Sequence, residues 1–104
     1  MTPKTLLGAW VPYPKRQYAN GKNPSVSFGN NGNWSASDGC NGTAGRWTLS
    51  TDGELVTTVG ASTLIGCDGA PTASWVSQAR RAAISGVVLT LYAPDGKLVA
   101  RLTR

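Results

Sequence analysis

Val26-Ser27-Phe28-Gly29-Asn30-Asn31-Gly32-Asn33-Trp34-Ser35-Ala36 reads as two strands folded back on each other. Apolar residues alternate on either side of Asn31-Gly32, which is the period-two signature of strands with one buried face. The Asn-Gly pair accepts the positive φ that a tight hairpin needs. The same device recurs twice. Trp47-x-Leu49 runs into Thr51-Asp52-Gly53-Glu54, and Val87-x-Leu89-x-Leu91 runs through Ala93-Pro94-Asp95-Gly96 into Leu98-x-Ala100-x-Leu102. Three hairpins follow, with strands expected near residues 5 to 11, 25 to 29, 33 to 37, 45 to 51, 54 to 59, 87 to 93 and 97 to 103.

One segment breaks the alternation. After Pro71, the stretch Thr72 to Ser85 has few β-formers in its middle, and Trp75, Ala79, Ala82 and Ala83 fall at helical spacing. Gly86 supplies a stop, and Ser74, Ser77, Gln78 and Arg81 form the polar side. The expected fold is therefore mainly β with one helix: a small, strongly curved antiparallel meander sheet or partly closed barrel. A chain of 104 residues makes this one domain, residues 1–104.

Composition narrows the function. With 40% hydrophobic and 14% charged residues the chain can build a core and is not kept open by self-repulsion. The longest apolar run, Gly86 to Leu91, is far too short to cross a bilayer. Met1 to Leu7 shows no apolar segment before a small-residue cleavage site, so the expectation is a cytoplasmic chain or one whose export segment has been removed. The net charge of +5 permits anionic partners. Lys4, Lys15, Arg16, Lys22, Arg46, Lys97, Arg101 and Arg104 are scattered, however, which points to weak contact with an anionic polymer or envelope surface and against specific nucleic-acid binding.

The chain has no histidine, which removes the usual general base, the commonest metal ligand and any Ser-His or Cys-His pairing. Two cysteines cannot supply a structural zinc site, and their spacing is not CxxC. No enzyme, cofactor or metal is expected. Asp52, Glu54 and Asp95 sit at hairpin turns, where carboxylates bond nearby backbone. Asp38 and Asp68 each adjoin a cysteine. Turn capping is the plain reading of both, and a glycosidase-like pair or a weak cation site is the functional one. Trp10, Trp34, Trp47 and Trp75 read as core. Tyr13 and Tyr18 flank Lys15 and Arg16 in a Pro/Gly-rich loop, and these four are candidate ligand contacts.

Asp38-Gly39-Cys40-Asn41-Gly42-Thr43-Ala44-Gly45-Arg46-Trp47 is answered downstream by Ser62-Thr63-Leu64-Ile65-Gly66-Cys67-Asp68. Cys40 and Cys67 lie in Gly/Asp-rich corners beside strand-like runs and read as disulfide partners, with two reduced thiols as the alternative. Closing that loop would stabilise the fold by about 3 to 4 kcal/mol in the chain-entropy model.

With Leu7-Gly8-Ala9-Trp10 before these stretches and Gly86 to Leu91 and Gly96-Lys97-Leu98 after them, the order resembles the META domain family. That family takes in the HslJ-like heat-shock proteins and many bacterial envelope lipoproteins. The likeness runs from about Leu7 to Leu102, and its specific part is Gly39-Cys40-Asn41 followed by Gly45 and Trp47.

With no catalytic constellation in the chain, the resemblance points to a non-enzymatic binding or stress-related accessory module of the bacterial cell envelope, and a monomer is expected. Such a module would be extracytoplasmic or envelope-anchored, with its signal removed. A second reading is a small-ligand carrier with an apolar cavity inside the barrel. A third is a carboxylate-dependent enzyme acting through Asp38 and Asp68. On the disulfide reading, native protein made under oxidising conditions and alkylated without reductant gains no mass; two added alkyl groups would exclude the bridge.

Overall fold

A computed structural model gives the fold and describes residues 3–14, 23–39, 41–62 and 71–104. It contains helices α1 (Pro3–Leu6) and α2 (Thr72–Gln78) and strands β1 (Gly8–Pro12), β2 (Ser25–Phe28), β3 (Asn33–Ser37), β4 (Gly42–Leu49), β5 (Leu55–Ser62), β6 (Arg81–Ser85), β7 (Val88–Tyr92) and β8 (Leu98–Thr103). The eight strands form one antiparallel sheet in the order β5-β4-β3-β2-β1-β8-β7-β6. Every strand pairs with its neighbour in sequence except β5 and β6, while the first and last strands pair with each other. This is the order of a meander barrel opened along one seam.

Among the described residues, the seam is stitched at one end. Glu54 bridges Arg81, the Leu55 N–H donates to the Arg80 carbonyl at 2.9 Å, and the Ala82 N–H donates to the Gly53 carbonyl at 2.9 Å. The sheet is otherwise not closed, and α2 sits in the connection that crosses the gap. Thr72 and Val76 of α2 are fully buried. The Thr72 hydroxyl donates to the Ser37 carbonyl at 2.8 Å, and the Val76 carbonyl accepts from the Thr57 hydroxyl at 3.1 Å. The helix thus packs against β2, β3, β4, β5, β7 and β8 together.

The three expected hairpins are present and share one geometry. In each five-residue turn the first N–H bonds the fifth carbonyl: Gly29 to Asn33, Ser50 to Glu54, and Ala93 to Lys97, at 2.8, 2.9 and 2.9 Å. The fourth residue is a glycine at positive φ, Gly32 at 82°, Gly53 at 91° and Gly96 at 83°. The third is Asn31, Asp52 or Asp95, whose side-chain oxygen accepts the fifth residue's N–H at 3.1, 3.2 and 3.0 Å. This is the three-residue loop with a glycine bulge, whose twist matches the strands it joins.

The core is built on three indoles. Trp10 and Trp34 are at most 1% exposed, and the Trp47 ring meets Phe28 edge to face with centroids 5.4 Å apart. Trp34 on β3 stands opposite Gly45 on β4, and its indole N–H passes β4 to reach the Thr58 carbonyl on β5 at 2.9 Å. A Cβ at position 45 would collide with that carbonyl and lie 2.7 Å from the indole nitrogen. The register of β4 and β5 shifts between Thr43 and Gly45, so a bulge brings the bare backbone under the ring.

Two expectations change. The helix expected over Thr72 to Ser85 ends at Gln78, and Arg81–Ser85 is strand β6. Ala79 turns the chain into extended backbone (φ −70°, ψ 141°), and Arg80 then donates to the Tyr92 carbonyl at 2.8 Å while accepting from Leu55. Pairing on both sides overrides the helical preference of the alanines. The strand expected from residue 5 begins at Gly8, because Pro3–Leu6 forms a helical turn that buries Leu6.

The crowding at Gly45 sets a test. Gly45→Ala is expected to cost about 3 kcal/mol or more, whereas Gly42→Ala, where a Cβ meets nothing within 4 Å, stays within about 1 kcal/mol. Denaturant midpoints of the two variants against wild type check this, and equal midpoints would refute the close approach.

Candidate functional site

Of the four residues singled out as ligand contacts, the described structure contains Tyr13. It is 50% exposed, and its N–H extends the β1–β8 ladder by donating to the Arg101 carbonyl at 3.0 Å. Lys15, Arg16 and Tyr18 lie outside the described residues, as do Cys40, Cys67 and Asp68. The disulfide, the four-residue loop site and the Asp38/Asp68 pairing therefore keep the standing the sequence gives them.

The described aspartates are tied to turns. Asp38 accepts the Asn41 backbone N–H at 2.6 Å and the Asn41 side-chain amide at 3.1 Å. Asp52 accepts the Ser50 hydroxyl and the Glu54 N–H, and Asp95 accepts the Lys97 N–H. The Ser50 hydroxyl chiefly, then the Glu54 N–H and nearby Arg81, hold Asp52 below the ordinary carboxylate range. This bonding is complete above the unfolded-state pKa and is lost as pH falls through the lower folded value. Glu54 and Arg81 close the seam, and Arg81 Nη1 also donates to the Asp52 carbonyl at 2.7 Å. Among the described residues no cluster of three His, Cys, Asp or Glu side chains is placed to hold a metal.

Among the described residues, concave surface includes three grooves. On the outer face of β2 to β4, Ser27, Asn33, Ser35 and Arg46 line a depression of about 510 Å³. Beside α1, Leu7, Trp47 and Leu49 form an apolar floor with Lys4 and Asn30 at the rim, enclosing about 560 Å³. Between α2 and the β7–β8 turn, Ser74, Trp75, Gln78, Asp95, Lys97 and Leu98 surround about 430 Å³.

The indole N–H groups separate the third groove from the core. Trp10 donates to the Leu6 carbonyl at 2.9 Å, Trp34 to Thr58 at 2.9 Å, and Trp47 to Gly29 and Asn33 at 3.2 and 3.1 Å. Trp75 is half-buried against the core, and its N–H has no acceptor among the described residues. The sequence placed Trp75 on the helix's apolar stripe and Gln78 on the polar side. It did not bring Asp95 and Lys97 to them, since only tertiary packing of α2 against the β7–β8 turn does so. The legible signal was the placement of Ser74, Trp75 and Gln78 within one turn of helix.

No family model, no curated protein and no solved structure matches the chain.

The buried indoles and the exposed tyrosine differ in what they support. Trp47→Ala is expected to cost about 3 to 5 kcal/mol, because it empties core volume and frees the turn carbonyls, whereas Tyr13→Ala should fall within about 1 kcal/mol. Chemical denaturation of both variants checks this.

Proposed function

We propose that this chain is a non-enzymatic binding module of META type, an accessory domain of the bacterial cell envelope. One observation carries the reading: Asp38, Asp52 and Asp95 each commit a carboxylate oxygen to a backbone N–H of a tight turn. A carboxylate working as acid, base or nucleophile needs its oxygens aimed at a substrate. The residues that carry the resemblance serve the frame in the same way. Gly45 gives the Trp34 indole its passage, and Trp47 fastens the β2–β3 turn through its ring nitrogen and through its N–H, which donates to the Gly32 carbonyl at 2.9 Å. What the likeness supports is a rigid scaffold whose specificity lies in surface grooves.

The apolar groove beside α1 favours a second reading, a carrier for a small apolar ligand. Leu7, Trp47 and Leu49 would receive the apolar part and Lys4 an acidic head. Its occupant would sit at the end of the barrel, since the interior is filled by Trp10, Phe28 and Trp34 at 0 to 2% exposure.

The test titrates ¹⁵N-labelled protein with teichoic-type polymer and with peptidoglycan fragments, following amide shifts and, by mass spectrometry, the ligand itself. The expected outcome is saturable shifts on at least one polymer with the ligand unaltered. Binding through the scattered cations should weaken steeply as salt rises, as counterion release requires. Consumption of either polymer that disappears in Asp38→Asn, with the circular dichroism spectrum unchanged, would overturn the reading.

A further inference from the structure

We propose that the groove between α2 and the β7–β8 turn binds a neutral pyranose unit of a glycan, stacked on the Trp75 indole. The inference rests on the binding-module reading and names the ligand class. A sugar ring presents a patch of weakly positive C–H groups on its face and a rim of hydroxyls at its edge. Recognising it needs an aromatic face for the patch and a ring of mixed donors and acceptors for the rim. The groove supplies both.

Trp75 is half-buried, so it is held by the core yet keeps surface toward the groove. Among the described residues its N–H has no acceptor, whereas the indole N–H groups of Trp10, Trp34 and Trp47 each reach a backbone carbonyl. The Gln78 Nε2 donates to the Ser74 hydroxyl at 2.6 Å, which orients the amide and leaves its Oε1 as an acceptor. Asp95 bonds the Lys97 N–H through Oδ1 at 3.0 Å, leaving Oδ2 and the Lys97 ammonium at the rim. Leu98, 50% exposed, extends the apolar floor.

Charge selects within the class. The chain carries +5 overall, yet this groove holds one carboxylate and one ammonium. A polyanion gains more from the scattered cations elsewhere than from a groove where Asp95 offsets the charge of Lys97. A neutral ring is indifferent to that balance, and both charged groups become strong partners for its hydroxyls. The volume of about 430 Å³ accommodates a ring or two. The walls are a helix pinned across the barrel mouth and a turn locked by its own glycine bulge, so little ordering is left to oppose binding.

The experiment follows the four indole N–H resonances of the full chain in ¹H–¹⁵N spectra while adding cellotriose, chitotriose, maltotriose and, separately, heparin. One indole resonance, assigned to Trp75 by its loss in Trp75→Phe, should exchange with solvent much faster than the other three. It should shift saturably with at least one neutral trisaccharide, and the affinity should be unchanged between low and physiological salt.

Gln78→Ala and Asp95→Asn should each weaken binding about tenfold. Both lie on the surface, and the asparagine can keep the turn's hydrogen bond, so they test the site even where Trp75→Ala fails to fold. No shift of the Trp75 resonance with any trisaccharide, or a shift with heparin alone that vanishes in salt, would overturn the glycan assignment. Saturable amide shifts on teichoic-type polymer would still stand for the module. Cleavage of a bound trisaccharide would instead overturn the non-enzymatic reading and leave the groove assignment standing.

Discussion

The hydrogen bond from the Trp34 indole to the Thr58 carbonyl constrains the rest of the fold, because it joins β3 to β5 over the top of β4. A sheet edge two strands away is normally held only through the strand between. Here a large ring spans the gap, and the intervening strand has to be bare and bulged where the ring crosses. The two sheet edges, β5 and β6, come together at the Glu54–Arg81 bridge, beside the seam that α2 plugs.

A second clasp works at the other side of the barrel. Arg104, at the end of the described chain, lies over the Trp10 ring with its guanidinium carbon 4.1 Å from the centroid. It donates to the carbonyls of Leu7 and Thr5 at 3.0 and 2.6 Å. These carbonyls lie in and just after the single turn of α1. One cation thus caps a helical turn and covers a buried indole at once, fixing the start of β1 against the end of β8. This explains how a helical turn of only Pro3–Leu6 persists where intrinsic propensity alone would not hold it.

What the sequence made legible was local. The three turns share an Asn or Asp followed by glycine, and backbone need at that pair is enough to set them, so Asn31-Gly32, Asp52-Gly53 and Asp95-Gly96 fell where the reading put them. The alternation around Trp34, Trp47 and Leu89 assigned the buried faces for the same reason. The illegible parts depend on distant partners. Ala82 and Ala83 satisfy a helical spacing and a strand equally, and only Tyr92 and Leu55, waiting on either side of Arg80, decide the matter. The start of β1 was misplaced because Arg104, almost the whole chain away, donates to the Thr5 and Leu7 carbonyls around α1.

The candidate groove illustrates the same division. Trp75 packs against the core and also lines the groove, and periodicity registers only the first of these. The polar groups opposite it come from a turn whose aspartate already has a structural task through one oxygen. A carboxylate fixed that way is a better recognition element than a free one, because its second oxygen is aimed without further loss of side-chain entropy. The turn bond that fixes Asp95 therefore suits it to binding. The rigidity of the frame, from the Gly45 crossing to the bulged β7–β8 turn, is what would make such a shallow groove selective.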